Sequence, residues 1–94
     1  MARILIPTPL RQFAEKNDSL ELAGNTAGEI LQGLTTHFPD LRKHLYNDEG
    51  KLRSFVNVYL NDEDIRYIGR EAAKVSDGDT LSIVPSLAGG SYGG

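Results

Sequence analysis

The most unusual chemistry in this sequence lies at its end. Leu87-Ala88-Gly89-Gly90-Ser91-Tyr92-Gly93-Gly94 puts glycine at four of the final six positions. No strand or turn requires these residues, so the segment is expected to be unpaired and mobile. A chain without Cβ atoms is narrow enough to thread an enzyme channel, and it lets another protein's backbone and a nucleotide approach a terminal carboxylate closely. A carboxylate is a poor electrophile, whereas an acyl-adenylate made from it has a good leaving group. A glycine-rich end is also what an ordinary frayed terminus looks like, and the tail alone does not separate these readings.

The other reactive residue types form no comparable constellation. There is no cysteine, which removes disulfides, thiolate metal sites and thiol nucleophiles together. Asp62-Glu63-Asp64 lacks the spacing of a calcium loop and reads as a solvated turn and a cap. His37 and His44 have no second ligand at zinc spacing and read as surface or helix-end residues. Ser91 and Tyr92 have no neighbouring base and read as spacers. Phe13, Phe38 and Tyr46 are expected in the core or at its edge, and Gly24, Gly50 and Gly78 in turns.

The elements that must position the tail follow from hydrophobic period. Arg3-Ile4-Leu5-Ile6, stopped by Pro7 and Pro9, reads as a first strand with Ile4 and Ile6 on one face and Leu5 on the other. Ser19-Leu20-Glu21-Leu22-Ala23 alternates and reads as a second strand paired to it, with Leu20 and Leu22 inward. Thr26 and Glu29 form a capping box, which predicts a helix from about Ala27. Ile30, Leu31, Leu34 and Phe38 give that helix one apolar stripe, and Pro39 ends it. A short helical turn is expected over Pro39–Leu45, then a loop at Asp48-Glu49-Gly50.

The clearest strand is Ser54–Leu60, with Val56, Val58 and Leu60 inward and Phe55, Asn57 and Tyr59 outward. Asn61–Asp64 reads as a polar bend and Ile65–Tyr67 as a short strand. The last strand, Thr80–Val84, stops at Pro85. Two strands, one helix and further strands, with the first and last apolar enough to lie centrally, predict an α+β chain. Its mixed sheet of four to five strands packs on one main helix in the β-grasp, ubiquitin-like arrangement. The globular domain is assigned to residues 1–87 and the tail to residues 88–94.

The chain has 94 residues, 39% hydrophobic and 24% charged, with a formal net charge of −3. That length supports one compact domain and not two. Lysines and arginines are scattered, so no basic stripe points to nucleic acid. No apolar run reaches the ~20 residues needed to span a bilayer, and no signal peptide is recognised. A cytoplasmic protein that avoids membranes is the expectation.

Three blocks carry a family resemblance: Lys51–Arg66, with Ser54-Phe55-Val56-Asn57-Val58-Tyr59-Leu60 at its centre; Ser76-Asp77-Gly78-Asp79-Thr80-Leu81-Ser82-Ile83-Val84-Pro85; and Leu87-Ala88-Gly89-Gly90. The chain resembles the ubiquitin-like sulfur carriers that serve molybdopterin, thiamin and cysteine synthesis. Within them it most resembles the carrier of cysteine biosynthesis. The resemblance implies a protein-bound sulfur donor without catalytic side chains, not an enzyme. Its terminal glycine would be adenylated by an E1-like activating and sulfurtransferase enzyme using ATP, then converted to a thiocarboxylate. No cofactor would be bound by the carrier itself. In the cysteine branch, a pyridoxal-phosphate cysteine synthase would accept the sulfur on an aminoacrylate, and a JAMM-type metalloprotease would release cysteine.

One departure stands out. Members of this pattern finish at the pair corresponding to Gly89-Gly90, whereas this sequence continues to Gly93-Gly94. Either Gly94 is activated on a longer tail, or residues 91–94 are removed and Gly90 becomes the reactive end. Gly94 is preferred because it requires no additional protease. The outer sheet face is the expected docking surface for the activating enzyme, with Leu5, Phe55, Tyr59 and Val84 beside the tail root at Leu87. Two alternatives belong to the same chemistry or its neighbourhood: a protein modifier joined through its terminal glycine to lysines, and a sulfur carrier for molybdopterin or thiamin synthesis. A third is an interaction domain with an inert tail.

Overall fold

The structure, a computed structural model, describes residues 1–85. Five strands build one sheet: β1 (Ala2–Leu5), β2 (Ser19–Leu22), β3 (Val56–Leu60), β4 (Glu63–Asp64) and β5 (Thr80–Pro85). Their spatial order is β2-β1-β5-β3-β4. β1 and β5 run parallel at the centre, with Ile4 opposite Leu81, and the remaining pairs are antiparallel. The first and last strands therefore lie side by side, as their apolar content requires.

The main helix α1 (Ala27–His37) starts where its cap dictates. The Glu29 N–H donates to the Thr26 hydroxyl at 3.2 Å, and the Glu29 carboxylate accepts from the Asn25 N–H at 2.7 Å. The return bond falls one residue earlier than in the usual capping box, yet it satisfies a free donor at the helix entrance in the same way. Pro39 has no N–H to continue the ladder, and Phe38 is already extended at φ −128°, ψ 81°. A 3-10 turn over Pro39–Leu41 and the single-turn α2 (Arg42–Leu45) follow.

Period two and period 3.6 meet in one core. Ile4 and Ile6 from the β1 segment, Val56, Val58 and Leu60 from β3, and Leu81 and Ile83 from β5 face Ile30, Leu31 and Leu34 of α1. Phe38, Leu41 and Leu45 extend the core past the helix end, and Phe13 and Tyr46 pack at its edge. Leu22 is buried as expected, whereas Leu20, on the same edge strand, is only half-buried. Gly50 and Gly78 occupy turns with φ of 78° and 86°. Gly24 serves a close approach instead of a turn: a Cβ there would lie 2.8 Å from Cδ1 of buried Ile30.

Two local expectations change. Ile65–Tyr67 is a 3-10 turn, and the strand falls one step earlier as β4. Asn61 takes a left-handed φ of 56°, which closes the two-residue hairpin between Leu60 and Glu63. The Asp64 carboxylate then accepts from the Arg66 N–H at 2.9 Å and turns the chain out of the sheet. The second change concerns Pro85, which ends β5 from within, opposite Val56. The Val56 N–H donates to the Arg53 carbonyl at 3.0 Å and so points away from Pro85, whose lack of an N–H costs no ladder bond there.

Candidate functional site

Two features of the sheet bear on the tail: the strand from which it departs and the outer face beside that strand. β5 is bracketed by β1 on one side and β3 on the other. Asn61 adds a clasp at the start of β5, its N–H donating to the Thr80 carbonyl at 2.7 Å and its side-chain carbonyl accepting from the Thr80 N–H at 3.1 Å. The segment entering the tail is thus held by β1 over Thr80–Ser82 and by β3 as far as Pro85. Leu87, Gly89, Gly90, Gly93 and Gly94, together with the 87/88 boundary, lie outside the described residues.

The outer face brings most of the expected contact residues into one patch. Ser82 of β5 lies opposite Leu5 of β1 and opposite Tyr59 of β3, and Val84 lies opposite Asn57. Leu5 and Val84 are 39% and 44% exposed, and Tyr59 is half-buried. Phe55, 40% exposed, precedes β3 in the turn before Val56 and extends the patch toward the end of β5. Three aliphatic or aromatic side chains left in water around the strand that leads to the tail form an exposed apolar patch.

Sequence reading missed the group that frames this patch. Arg66 grips both oxygens of Asp64, through Nε–Oδ1 at 3.2 Å and Nη2–Oδ2 at 2.7 Å, and its Nη2 also donates to the Asn57 side-chain carbonyl at 2.7 Å. Asn57 is the cross-strand neighbour of Val84, so the clamp fixes a planar cation at the rim of the patch. These bonds, with the Arg66 side chain foremost, hold the Asp64 carboxyl below the usual carboxylate range. The Asp-x-Arg spacing at Asp64 and Arg66 was the available signal, although only the hairpin brings Asn57 to it. Tyr67, 84% exposed, is the other large side chain on this edge that the strand assignment obscured.

The histidines behave differently from each other. His37 is exposed at the end of α1, as expected. His44 is half-buried and stacks on Phe13 with ring centroids 4.0 Å apart. Burial, reinforced by the nearby Lys43 and Arg53 cations, pushes its pKa below the ordinary 6.5. Among the described residues no three histidine, aspartate or glutamate side chains come together as a metal-binding group, and Asp64 of the acidic run acts as the cap and ion-pair partner described above. No helix among them is long and apolar enough to cross a membrane.

Comparison with known proteins agrees with this architecture. The ThiS family profile matches residues 4–90, and this chain belongs to the ThiS family. The chain is 37% identical over 89 residues to the sulfur carrier protein CysO of Mycobacterium tuberculosis, covering 93% of this chain and 96% of that protein. It superimposes with a TM-score of 0.86 on a chain of the Amycolatopsis orientalis BexX/CysO complex, 40% identical, covering 95% of this chain and 99% of that one. It is also 32% identical over 65 residues to small archaeal modifier protein 3 of Haloferax volcanii, covering 69% of this chain and 70% of that protein. The fold is the β-grasp, with its mixed five-stranded sheet packed on one helix.

Proposed function

We propose that this chain is a sulfur carrier whose terminal glycine is activated as an acyl-adenylate and then converted to a thiocarboxylate. The observation that most supports this reading is the near full-length similarity to the sulfur carrier CysO, over 89 residues, beside a family match that reaches Gly90. A carboxylate oxygen of the tail attacks the α-phosphorus of ATP on an E1-like partner and expels pyrophosphate. A hydrosulfide ion delivered by the sulfur donor then adds to the acyl carbon, AMP leaves, and the tail ends in a thioacid whose sulfur is the nucleophile for the next step. The carrier supplies the acyl group and a docking surface, and the partner supplies the catalytic side chains.

The reactive glycine is Gly94, or Gly90 where residues 91–94 are removed. The family match ends at Gly90, which makes the second position the equivalent of the family's own. Leu5, Phe55, Tyr59 and Val84, with Leu87 at the tail root, form the face that docks on the activating enzyme. Sulfur delivery to a pyridoxal-phosphate cysteine synthase, followed by release through a JAMM-type metalloprotease in the cytoplasm, is the downstream route that fits the CysO likeness.

A second reading, a modifier conjugated to lysines, draws support from the similarity to a small archaeal modifier protein. Deletion of the gene in its own host tests both. Cysteine auxotrophy without lysine-linked conjugates in wild-type extract is the result expected of the carrier, and conjugates that disappear with the deletion, without auxotrophy, are the result expected of the modifier.

A further inference from the structure

The ten lysines and arginines are scattered along the sequence, but folding gathers four of them at one place. Lys51, Arg53, Arg66 and Arg70 line a cavity of about 670 Å³, together with a single acidic residue, Glu71. Arg66 is already paired with Asp64, whereas among the described residues Lys51, Arg53 and Arg70 have no carboxylate within ion-pair distance. Three cations without a carboxylate partner around one cavity, Arg53 fixed there by its Nε donating to the Lys43 carbonyl at 2.9 Å, make a positive local potential that favours an anion. That they persist in a protein of formal net charge −3 marks the cavity as locally opposite in sign to the rest of the chain.

The backbone at the same place is also incomplete. β5 pairs with all of β3, from Val56 to Leu60, but β4 reaches only Tyr59 and Leu60. Among the described residues the cavity-side edge of β3 at Val56–Val58 therefore has no strand neighbour, and of its donors the Val56 N–H is already taken by the Arg53 carbonyl. Leu52, Val56, Val58 and Ile65 give the cavity an aliphatic lining between its cations. An extended peptide with acidic and apolar side chains in alternation matches such an edge, because its successive side chains point to opposite sides. Arg70 is held at this edge by two consecutive left-handed residues, Gly69 at φ 117° and Arg70 itself at φ 56°.

We propose that this cavity is the docking site for an acidic, extended segment of a partner protein, laid beside β3 at Val58 with its carboxylates among Lys51, Arg53 and Arg70. The site lies on the core side of the sheet rim, where Val56, Val58 and Ile65 face inward, and meets the outer-face patch of Leu5, Tyr59 and Val84 only at Arg66. It does not rest on the sulfur-carrier reading. A polypeptide fits better than nucleic acid because the cations surround one cavity instead of forming a track, and because no aromatic side chain lines it for base stacking.

Nitrogen-15-labelled full-length protein, titrated with a short, terminally blocked peptide alternating glutamate and valine, tests the proposal. The expected result is saturable shifts of the amides of Lys51–Val58 and Ile65–Glu71, with an affinity that falls as salt is raised. The double variant Lys51→Gln/Arg70→Gln removes two side chains that make no hydrogen bond or ion pair among the described residues. It should weaken binding about tenfold while the rest of the spectrum stays native. Glu71→Gln should tighten it. The absence of saturable shifts at about 5 mM peptide, shifts confined to the outer face, or equal binding of a glutamine-for-glutamate peptide would each overturn the proposal. Tighter binding of a uridine oligonucleotide than of the acidic peptide would assign the cavity to nucleic acid and overturn it too.

Discussion

The two faces of the central sheet are made by the same strands and do different work. On the inner face Ile4, Val58, Leu81 and Ile83 are almost completely buried against α1. On the outer face their immediate chain neighbours Leu5, Tyr59 and Val84 keep much of their apolar surface in water around Ser82. Alternation along three strands thus writes two programmes into one stretch of sequence, a buried core face inward and an exposed apolar face outward, the face proposed above to dock on the activating enzyme. Substitutions one residue apart should therefore separate folding from function.

Leu81→Ala should break the inner programme most severely. The side chain is wholly buried on the strand between β1 and β3, and its loss should cost about 2–5 kcal/mol in denaturant unfolding. Val58→Ala, on the neighbouring strand, should cost about 1–3 kcal/mol; an unchanged melting curve would mean that the faces of β3 are inverted. Thr26→Ala removes the hydroxyl that accepts from Glu29 and should cost about 1 kcal/mol. Val84→Ser lies on the outer programme and should change stability by no more than about 0.5 kcal/mol, while lowering the rate at which the activating enzyme modifies the tail. A large loss of stability with normal modification would reverse the assignment of the two faces.

The smallest effect concerns pH and sharpens the inner side. Because His44 has a lowered pKa in the folded state, the unfolded chain binds its proton more readily. Its contribution leaves stability intact above the ordinary 6.5 and lowers it as pH falls from there through the folded-state value. His44→Phe, which keeps a ring on Phe13, should flatten that part of the stability-pH curve. A variant curve parallel to the wild type across this window would remove His44 from the account.

Much of the inner programme was legible because each signal was local. The Thr26-Glu29 cap, the stripe from Ile30 to Phe38 and the alternation from Val56 to Leu60 each specify their own neighbours. The departures arose where tertiary context decides. The hairpin at Asn61 advanced the strand to Glu63–Asp64, and Asp64 then capped a 3-10 turn through Ile65–Tyr67. Pro85 stayed in the sheet because the Val56 N–H points elsewhere. The tail motif stands out by residue type and resemblance, and it lies outside the described residues. The outer patch was readable by alternation at Leu5, Tyr59 and Val84, but not its Arg66 clamp, which joins Asn57 to Asp64 across the hairpin. The gathering of Lys51, Arg53 and Arg70 was equally illegible, since it depends on how the loop before β3 closes against the turn at Gly69.

The central claim is that the terminal carboxylate becomes a thiocarboxylate, and intact mass measurement tests it most directly. The protein recovered from its host, or incubated with its activating enzyme, ATP and a sulfur source, should gain the mass difference of one oxygen exchanged for sulfur. The parent mass would place the exchange on Gly90 or Gly94. An unshifted mass under conditions where the activating enzyme is demonstrably active would contradict the account.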